Sequence, residues 1–409
     1  MEQARGTKGG RAGTVPGRET MNIAFCYENV LPARGGCERY IASLARRLVA
    51  DGHEVHLYAC RWDAAALPTG LHYHPVRLLP CPRFLRPWLF SAACVRAVRA
   101  GRHQVSIGFD KTWGQDILYP QGGLYVATAS HNLLKYAHPL QRGLVRVLKW
   151  MDLAHLSYLA LERKQYLAPS RPLVIAISEM VRKHFGDHYG LPADDLRVVR
   201  IAVDSRRFDE RDRPRRRLEC RDRWGIRPDE TVGLFAGMNY RLKGLDPLLH
   251  AIRLLPPGEK FRLLVAGTAA YGRYERLARW LGIADRVRFV GYCDDMRDAY
   301  FASDLLVHPT FYDPCSHVVP EAMACGLPVI TSRYNGAAEL MHPPREGFVL
   351  DDPHDHRRLA WCLTQLLDPA RRQACAQAAR KTSALWTFDH HYRQMLTVFN
   401  EAAARRRAA

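Results

Sequence analysis

Two carboxylates, Asp313 and Glu321, stand eight residues apart in the stretch HPTFYDPCSHVVPEAMACGLPVITSRYNG, residues 308–336. Glu321 sits among small apolar neighbours, Val318, Val319, Ala322, Met323 and Ala324. A carboxylate there needs polar partners, because burying an unpaired charge costs on the order of several kcal/mol. The pattern predicts a strand ending near 305–308, a loop carrying Asp313, a short helix over about 318–325, then Gly326 and a second strand over 327–331. The amides of Cys315, Ser316 and His317 then lie near the helix start, where backbone N–H groups are free and anions are favoured. Carboxylates for hydroxyls beside donors for an oxyanion suit a sugar phosphate. A purely structural hydrogen-bond network suits the same residues, and the stretch alone leaves both open.

Other residues point the same way. Arg241 and Lys243 lie two apart in a loop between a predicted strand, 231–236, and a helix. Arg offers a planar fork and Lys a point charge, both suited to phosphate oxygens. Two solvated loop cations are the plainer alternative. Gly35 and Gly36 precede a predicted helix, 37–50, and let backbone approach a phosphate or sugar closely. They are not a GxGxxG, so they do not argue for a dinucleotide. Asp110, Lys111 and Asp116 follow the predicted strand 105–109, at the strand end where open α/β sheets place their sites. His131 is a second candidate on that side.

The elements that must position these residues alternate. Strands are expected at 22–27, 54–59, 105–109 and 173–177, and again at 231–236, 261–266, 287–290, 305–308 and 347–350, with helices between. That alternation argues two Rossmann-like domains with parallel sheets. A chain of 409 residues is comfortable for two domains. The expected division is an irregular extension at 1–20, domains at 21–203 and 204–385, and a closing helical segment at 386–409.

Composition bounds the partners. The formal net charge is +19, mostly an arginine excess, which implies an anionic partner: membrane surface, nucleic acid or phosphorylated substrate. Eleven cysteines without a CxxC pair read as reduced thiols, not as a disulfide framework or zinc site. No apolar run approaches a membrane span, and no signal-peptide core follows the N-terminus, so a cytoplasmic protein is expected. Arg142, Arg146 and Lys149 fall at i, i+4 and i+7 of a predicted helix, with Leu144, Val145, Leu148 and Met151 mostly opposite. A basic amphipathic helix suits an anionic membrane, and an ordinary surface helix with its apolar face in the core is the alternative.

The stretch Asp313-x7-Glu321 followed by Ala322-Met323-Ala324-Cys325-Gly326-Leu327-Pro328-Val329 resembles the donor-sugar motif of family 4 glycosyltransferases, Glu-x7-Glu then Ala-x-Ala/Ser-x-Gly-x-Pro-Val. Asp313 replaces the first Glu, one methylene shorter. Lys243-Gly244 resembles the family's Arg-x-x-x-x-Lys-Gly, compressed here to Arg-x-Lys-Gly. Ala202-Val203-Asp204 through Phe208 is similar to the family's hinge pattern. Gly108 to Asp116 resembles the lipopolysaccharide core glucosyltransferases within the family.

The resemblance implies a GT-B fold, with an acceptor domain first, a nucleotide-sugar donor domain second, and the site in the cleft between them. It implies retaining transfer of a hexose from a nucleotide-diphosphate sugar, UDP-linked by expectation, with no cofactor and no essential metal. Arg241, Lys243 and Glu321 inherit roles at the donor and its departing diphosphate. Gly35, Gly36, Asp313, Cys315, Ser316, His317 and Tyr292 inherit donor-binding roles, and Asp116 an acceptor-side role. The acceptor implied is a glycan or lipid-linked sugar such as a lipopolysaccharide core residue, met at the inner face of the cytoplasmic membrane. A non-hydrolysing nucleotide-sugar epimerase uses the same fold. A nucleic-acid-binding protein with a vestigial site fits the charge, but no aromatic-interleaved basic sheet or reading helix supports it.

Overall fold

The structure is a computed structural model, and it describes residues 20–32, 35–168, 171–208 and 210–408. The extension expected at 1–20 falls almost wholly outside these residues. The first half runs β1 (Asn22–Cys26), β2 (Asn29–Val30), α1 (Gly36–Ala50), β3 (Glu54–Ala59), β4 (Arg61–Trp62), β5 (His72–Pro75), α2 (Arg86–Ala100), β6 (Val105–Phe109), β7 (Ile117–Tyr119), α3 (Tyr125–His131), α4 (Pro139–Trp150), α5 (Leu153–Tyr166), β8 (Leu173–Ala176), α6 (Glu179–Tyr189) and β9 (Leu196–Val198). The second half runs α7 (Arg213–Arg223), β10 (Thr231–Gly237), α8 (Leu245–Arg253), β11 (Phe261–Gly267), α9 (Gly272–Trp280), β12 (Val287–Gly291), α10 (Met296–Ala302), β13 (Leu305–His308), α11 (Val318–Ala324), β14 (Val329–Ser332), β15 (Gly347–Leu350), α12 (His356–Leu367), α13 (Pro369–Ser383) and α14 (Phe388–Ala408).

Each half builds one parallel sheet. The first has strand order β5-β3-β1-β6-β7-β8-β9, and the second β12-β11-β10-β13-β14-β15. The central strands are short apolar runs such as Ile23–Cys26 and Leu305–Val307, almost fully buried, as a parallel sheet covered on both faces requires. The two sheets point their C-terminal edges at each other, and that fixes where chemistry can occur.

The halves are joined on both sides of the cleft. Val203 N–H donates to the Trp386 carbonyl at 3.0 Å, so the outgoing and returning chains pair where they cross. α14 then lies back on the first domain, where Arg197 meets Glu401 at 2.6 Å and Tyr40 Oη lies 2.8 Å from His391 Nε2. Opposite, the Glu339 carboxylate of the second domain accepts the N–H groups of Glu179 and Met180 at 2.8 and 2.7 Å. It caps α6 of the first domain, where free amides favour an anion. Ser178 caps the same helix by accepting from Val181 N–H, and its hydroxyl donates to the Pro314 carbonyl at 2.8 Å.

Candidate functional site

The donor-side loops are tied together by backbone. Gly244, at φ +83, starts α8 with its Cα against the Pro309 carbonyl, where a side chain would collide. Leu242 O accepts from Phe311 N–H at 2.8 Å and from the Thr310 hydroxyl at 3.2 Å. The loop 238–244 is thereby fixed against 309–313. Asp313 is pinned by its own backbone, donating to Tyr334 O and accepting from Gly336 N–H, each at 2.9 Å.

This framework sets Lys243 Nζ 2.5 Å from Asp313 Oδ2. His308 Nε2 lies 3.6 Å from the same oxygen and 3.5 Å from Ser316 Oγ. Burial would raise the Asp313 pKa, but the Lys243 ammonium and the His308 hydrogen bond outweigh it and hold the carboxyl well below the usual range. Burial pushes His308 down, so its imidazole is neutral at neutral pH.

Glu321 finds the polar partner its apolar surroundings demand. Tyr300, fully buried, donates its hydroxyl to Glu321 Oε2 at 2.7 Å. Glu321 lines an interdomain cavity of about 130 Å³ with Gly36, Arg39, Asp204, Arg207 and His317. His317 feels both Glu321 and Asp313, although burial still lowers its pKa. A Cβ added at Gly36 would lie 3.4 Å from the His317 ring, so the glycine allows the first domain to close on the donor motif. Gly35 is extended, at φ −165, beside its own Glu38.

Several predicted residues sit elsewhere than expected. The Ser316 N–H is not free, since it donates to Asn335 Oδ1 at 3.1 Å. Cys315 is buried and its thiol pushed up by burial, so the stretch is less open to an anion than its sequence implies. Arg241 turns away from Lys243 and stacks 4.1 Å from the Tyr136 ring, bridging to the first domain at the cleft mouth. Tyr292 is 63% exposed. His131 stacks on Tyr312 at 4.7 Å, joining the domains.

Asp116 is a correction. Residues 110–116 cross back along the sheet, and Asp116 stands at the start of β7, on the edge away from the cleft. There it accepts from Ser106 N–H and Oγ at 2.7 and 2.6 Å and pairs with Arg406 of α14 at 3.1 Å. The residue that does reach the cleft is Asp110, at the end of β6. Its φ is +51, a left-handed conformation that Asp tolerates better than most residues, and it accepts from Gly122 N–H at 3.0 Å. Burial raises its pKa against that hydrogen bond and Lys111. It lines a cavity of about 400 Å³ in the first domain with Tyr27, Glu28, Glu38, Lys111 and Tyr158.

The helix carrying Arg142, Arg146 and Lys149 is also turned about. Arg142 donates to Tyr136 O at 2.6 Å and Lys149 to Ala129 O at 3.0 Å, so two of the three cations face the domain. No residue of α4 is buried. Its apolar side faces outward instead of into the core, with Leu140, Leu144, Val147, Leu148, Trp150 and Met151 all more than half exposed. Among the described residues no helix is long and apolar enough to cross a membrane, and no cluster of metal-ligating side chains lies in the cleft.

Tyr300, His308 and Asn335 were not legible as site residues. They lie on separate elements, and only the packing of α10, β13 and the loop after β14 brings them to α11 and its approach.

Comparison with known proteins agrees with this architecture. A model of Glycosyltransferase Family 4 matches residues 34–207, and one of Glycosyl transferases group 1 matches residues 217–382. The chain is 30% identical over 398 residues to a D-inositol 3-phosphate glycosyltransferase of Xylanimonas cellulosilytica, spanning 91% of this chain and 93% of that one. It is 24% identical over 363 residues to the lipopolysaccharide glucosyltransferase WaaG of Escherichia coli, spanning 88% and 93%. The crystal structure of WaaG, a glycosyltransferase involved in lipopolysaccharide biosynthesis, superposes with a TM-score of 0.73 at 22% identity over 93% of this chain and 98% of that one. Anabaena HepE in complex with UDP-glucose superposes with a TM-score of 0.66 at 18% identity over 95% and 100%. With paired parallel sheets, an interdomain cleft and these matches, the chain belongs to the family 4 glycosyltransferases: it is a hexosyltransferase on the GT-B fold.

Proposed function

We propose that the enzyme moves a hexose from a UDP-sugar to a hydroxyl of a glycan or lipid-linked acceptor, such as a lipopolysaccharide core sugar. In this reading the transfer retains configuration and needs no essential metal. The observation that carries it is the Lys243–Asp313 pair, fixed by backbone at the C-terminal edge of the second sheet, in the same loop and helix start whose His317 meets Gly36 of the first domain. The main barrier is departure of a diphosphate. A preorganised cation aimed at that developing charge is commonly the largest catalytic contribution. Lys243 does this work from within and Arg241 from the cleft mouth. Asp313 orients the ammonium and accepts from donor-sugar hydroxyls. Glu321, held by Tyr300, accepts from the ribose or donor sugar.

Asp110 borders the acceptor side, where its cavity offers carboxylates and aromatic walls to a sugar. It orients the acceptor hydroxyl, whose proton passes to the departing phosphate. The relatives support the donor and acceptor classes: one fold neighbour was crystallised with UDP-glucose, and one sequence relative is a lipopolysaccharide glucosyltransferase. The outward apolar side of α4, with Leu153 also exposed beyond it, supports docking on the cytoplasmic membrane face where a lipid-linked acceptor is presented.

Thermal shifts with UDP, GDP, ADP and CMP, and with their sugar conjugates, test the donor. A ligand at a hundred times its dissociation constant stabilises by about 2.7 kcal/mol. UDP is expected to stabilise wild type and to lose that effect in Glu321→Ala. Proton NMR of the product then reads the anomeric configuration. Stabilisation by another nucleotide alone, or an inverted product, overturns the corresponding part of the reading.

A further inference from the structure

A second cluster of chemistry-bearing side chains lies on the outer part of the first sheet, away from the cleft. β3 and β5 pair in parallel with His56 opposite His72 and Tyr58 opposite His74. Residues two apart on a strand share a face. Glu54, His56 and Tyr58 of β3 therefore project on the same side as His72 and His74 of β5, while Val55, Leu57 and Ala59 point into the core. His56 Nε2 is 3.0 Å from Glu54 Oε1, and His72 Nε2 is 3.9 Å from the same oxygen. One ligand atom from each of Glu54, His56 and His72 falls within 4.8 Å of the other two.

We propose that Glu54, His56 and His72 form a binding site for a transition-metal dication, zinc by ligand type, that clamps the edge strand β5 onto β3. Two imidazoles and a carboxylate, with a fourth position open to water, are a ligand set that zinc accepts. Tetrahedral zinc with bonds of about 2.0–2.1 Å sets its ligand atoms roughly 3.3 Å apart. The two separations to Glu54 Oε1, 3.0 and 3.9 Å, are close to that, and the His72 side chain, 55% exposed, is free to turn out of its stack on His56 and bring its lone pair onto the ion.

The surroundings hold these groups as outer partners hold metal ligands. His56 Nδ1 is 2.9 Å from His74 Nε2, which leaves Nε2 of His56 turned to Glu54. Asn22 Nδ2 donates to Glu54 Oε2 at 3.1 Å, leaving Oε1 toward the histidines. Asn22 Oδ1 accepts from His103 Nδ1, so His103 Nε2 accepts from the Tyr58 hydroxyl at 2.7 Å. A hydrogen-bonded outer shell of this kind fixes ring orientation and tautomer. β5 has four residues and, among the described residues, pairs with β3 alone, so an ion bridging the two strands adds to the backbone ladder and the His56–His74 contact that hold this edge.

The test uses the full chain, stripped with chelator, titrated with Zn²⁺ by calorimetry and followed by thermal shift, with Mg²⁺ as the comparison ion. One equivalent of Zn²⁺ is expected, with a rise in Tm reversed by chelator and no response to Mg²⁺. His56→Ala/His72→Ala abolishes binding, His74→Ala weakens it about 10–100-fold, and His342→Ala, an exposed histidine elsewhere, leaves it unchanged. Co²⁺ in place of zinc gives tetrahedral d–d absorption that Glu54→Gln alters. Absence of Zn²⁺ binding at millimolar concentration overturns the site, as does full binding by the double variant. Should the double variant misfold, Glu54→Gln decides, because that side chain is half exposed and outside the core. Wild-type affinity in Glu54→Gln overturns the proposal.

Discussion

Lys243 Nζ and Asp313 Oδ2 lie 2.5 Å apart, enclosed where two backbone-tied loops meet at the C-terminal edge of the donor-domain sheet. The pair gives Asp313 a role beyond contact with a sugar, because its charge also aims the ammonium. Lys243→Ala is expected to lower kcat by about 10²–10³-fold, the range for loss of one preorganised donor at a developing anion. Asp313→Ala frees the ammonium and should leave UDP affinity intact while turnover falls. Calorimetry with UDP beside steady-state kinetics checks this, and a parallel collapse of both in Asp313→Ala contradicts it.

Tyr300→Phe removes the hydroxyl that satisfies Glu321 and changes little else in a fully buried ring site. Losing one hydrogen bond to a charged group is expected to cost about 1.5–3 kcal/mol. Donor affinity should fall as well, since Glu321 loses its anchor. Denaturant unfolding measures the first effect and UDP titration the second.

Asp110 and Asp116 separate by position. Asp110→Asn should reduce turnover through the acceptor with the donor Kd unchanged. Asp116→Asn should spare kcat and reduce stability by about 1–3 kcal/mol, because it breaks contacts to Ser106 and Arg406 on the far edge. Acceptor-dependent kinetics and urea unfolding of the two variants check the assignment.

The outward side of α4 makes a prediction about membranes. Leu144→Glu and Leu148→Glu should abolish sedimentation with vesicles containing anionic lipid. They should leave Tm unchanged, since these side chains are 63% and 55% exposed and support no core. Arg142→Ala should instead lower Tm, because Arg142 ties α4 to the Tyr136 carbonyl.

His391 predicts how the domain junction responds to acid. It is buried between the Tyr40 hydroxyl and the Arg200 carbonyl, and burial lowers its pKa from 6.5 to about 4. Between those values the unfolded chain binds a proton that the folded chain refuses. Stability therefore falls as pH drops from 6.5 toward 4, by about 3 kcal/mol at the limit. Tm measured from pH 7 to pH 4.5 should decline in wild type, and the decline should be shallower in His391→Gln.

Apolar strand runs alternating with helices were enough to read two parallel-sheet domains, because a strand covered on both faces leaves a continuous hydrophobic signature. Asp313, Glu321 and Lys243 were legible because local spacing set them on loops and a helix start beside strand ends.

What lay between elements was decided by tertiary structure. The seven residues after β6 read as a loop at the cleft, yet they return along the sheet and deliver Asp116 to its opposite edge. Arg241 and Lys243 are two apart in sequence, and packing sends one to Tyr136 and the other to Asp313. The amphipathic period of α4 was plain, but which side met the domain was not, since a helical period carries no information about what stands opposite. The sequence determined which residues carry charge and which elements hold them. Contacts between residues distant in the chain decided which charges meet, because loop paths and helix rotation follow from packing that no local pattern records.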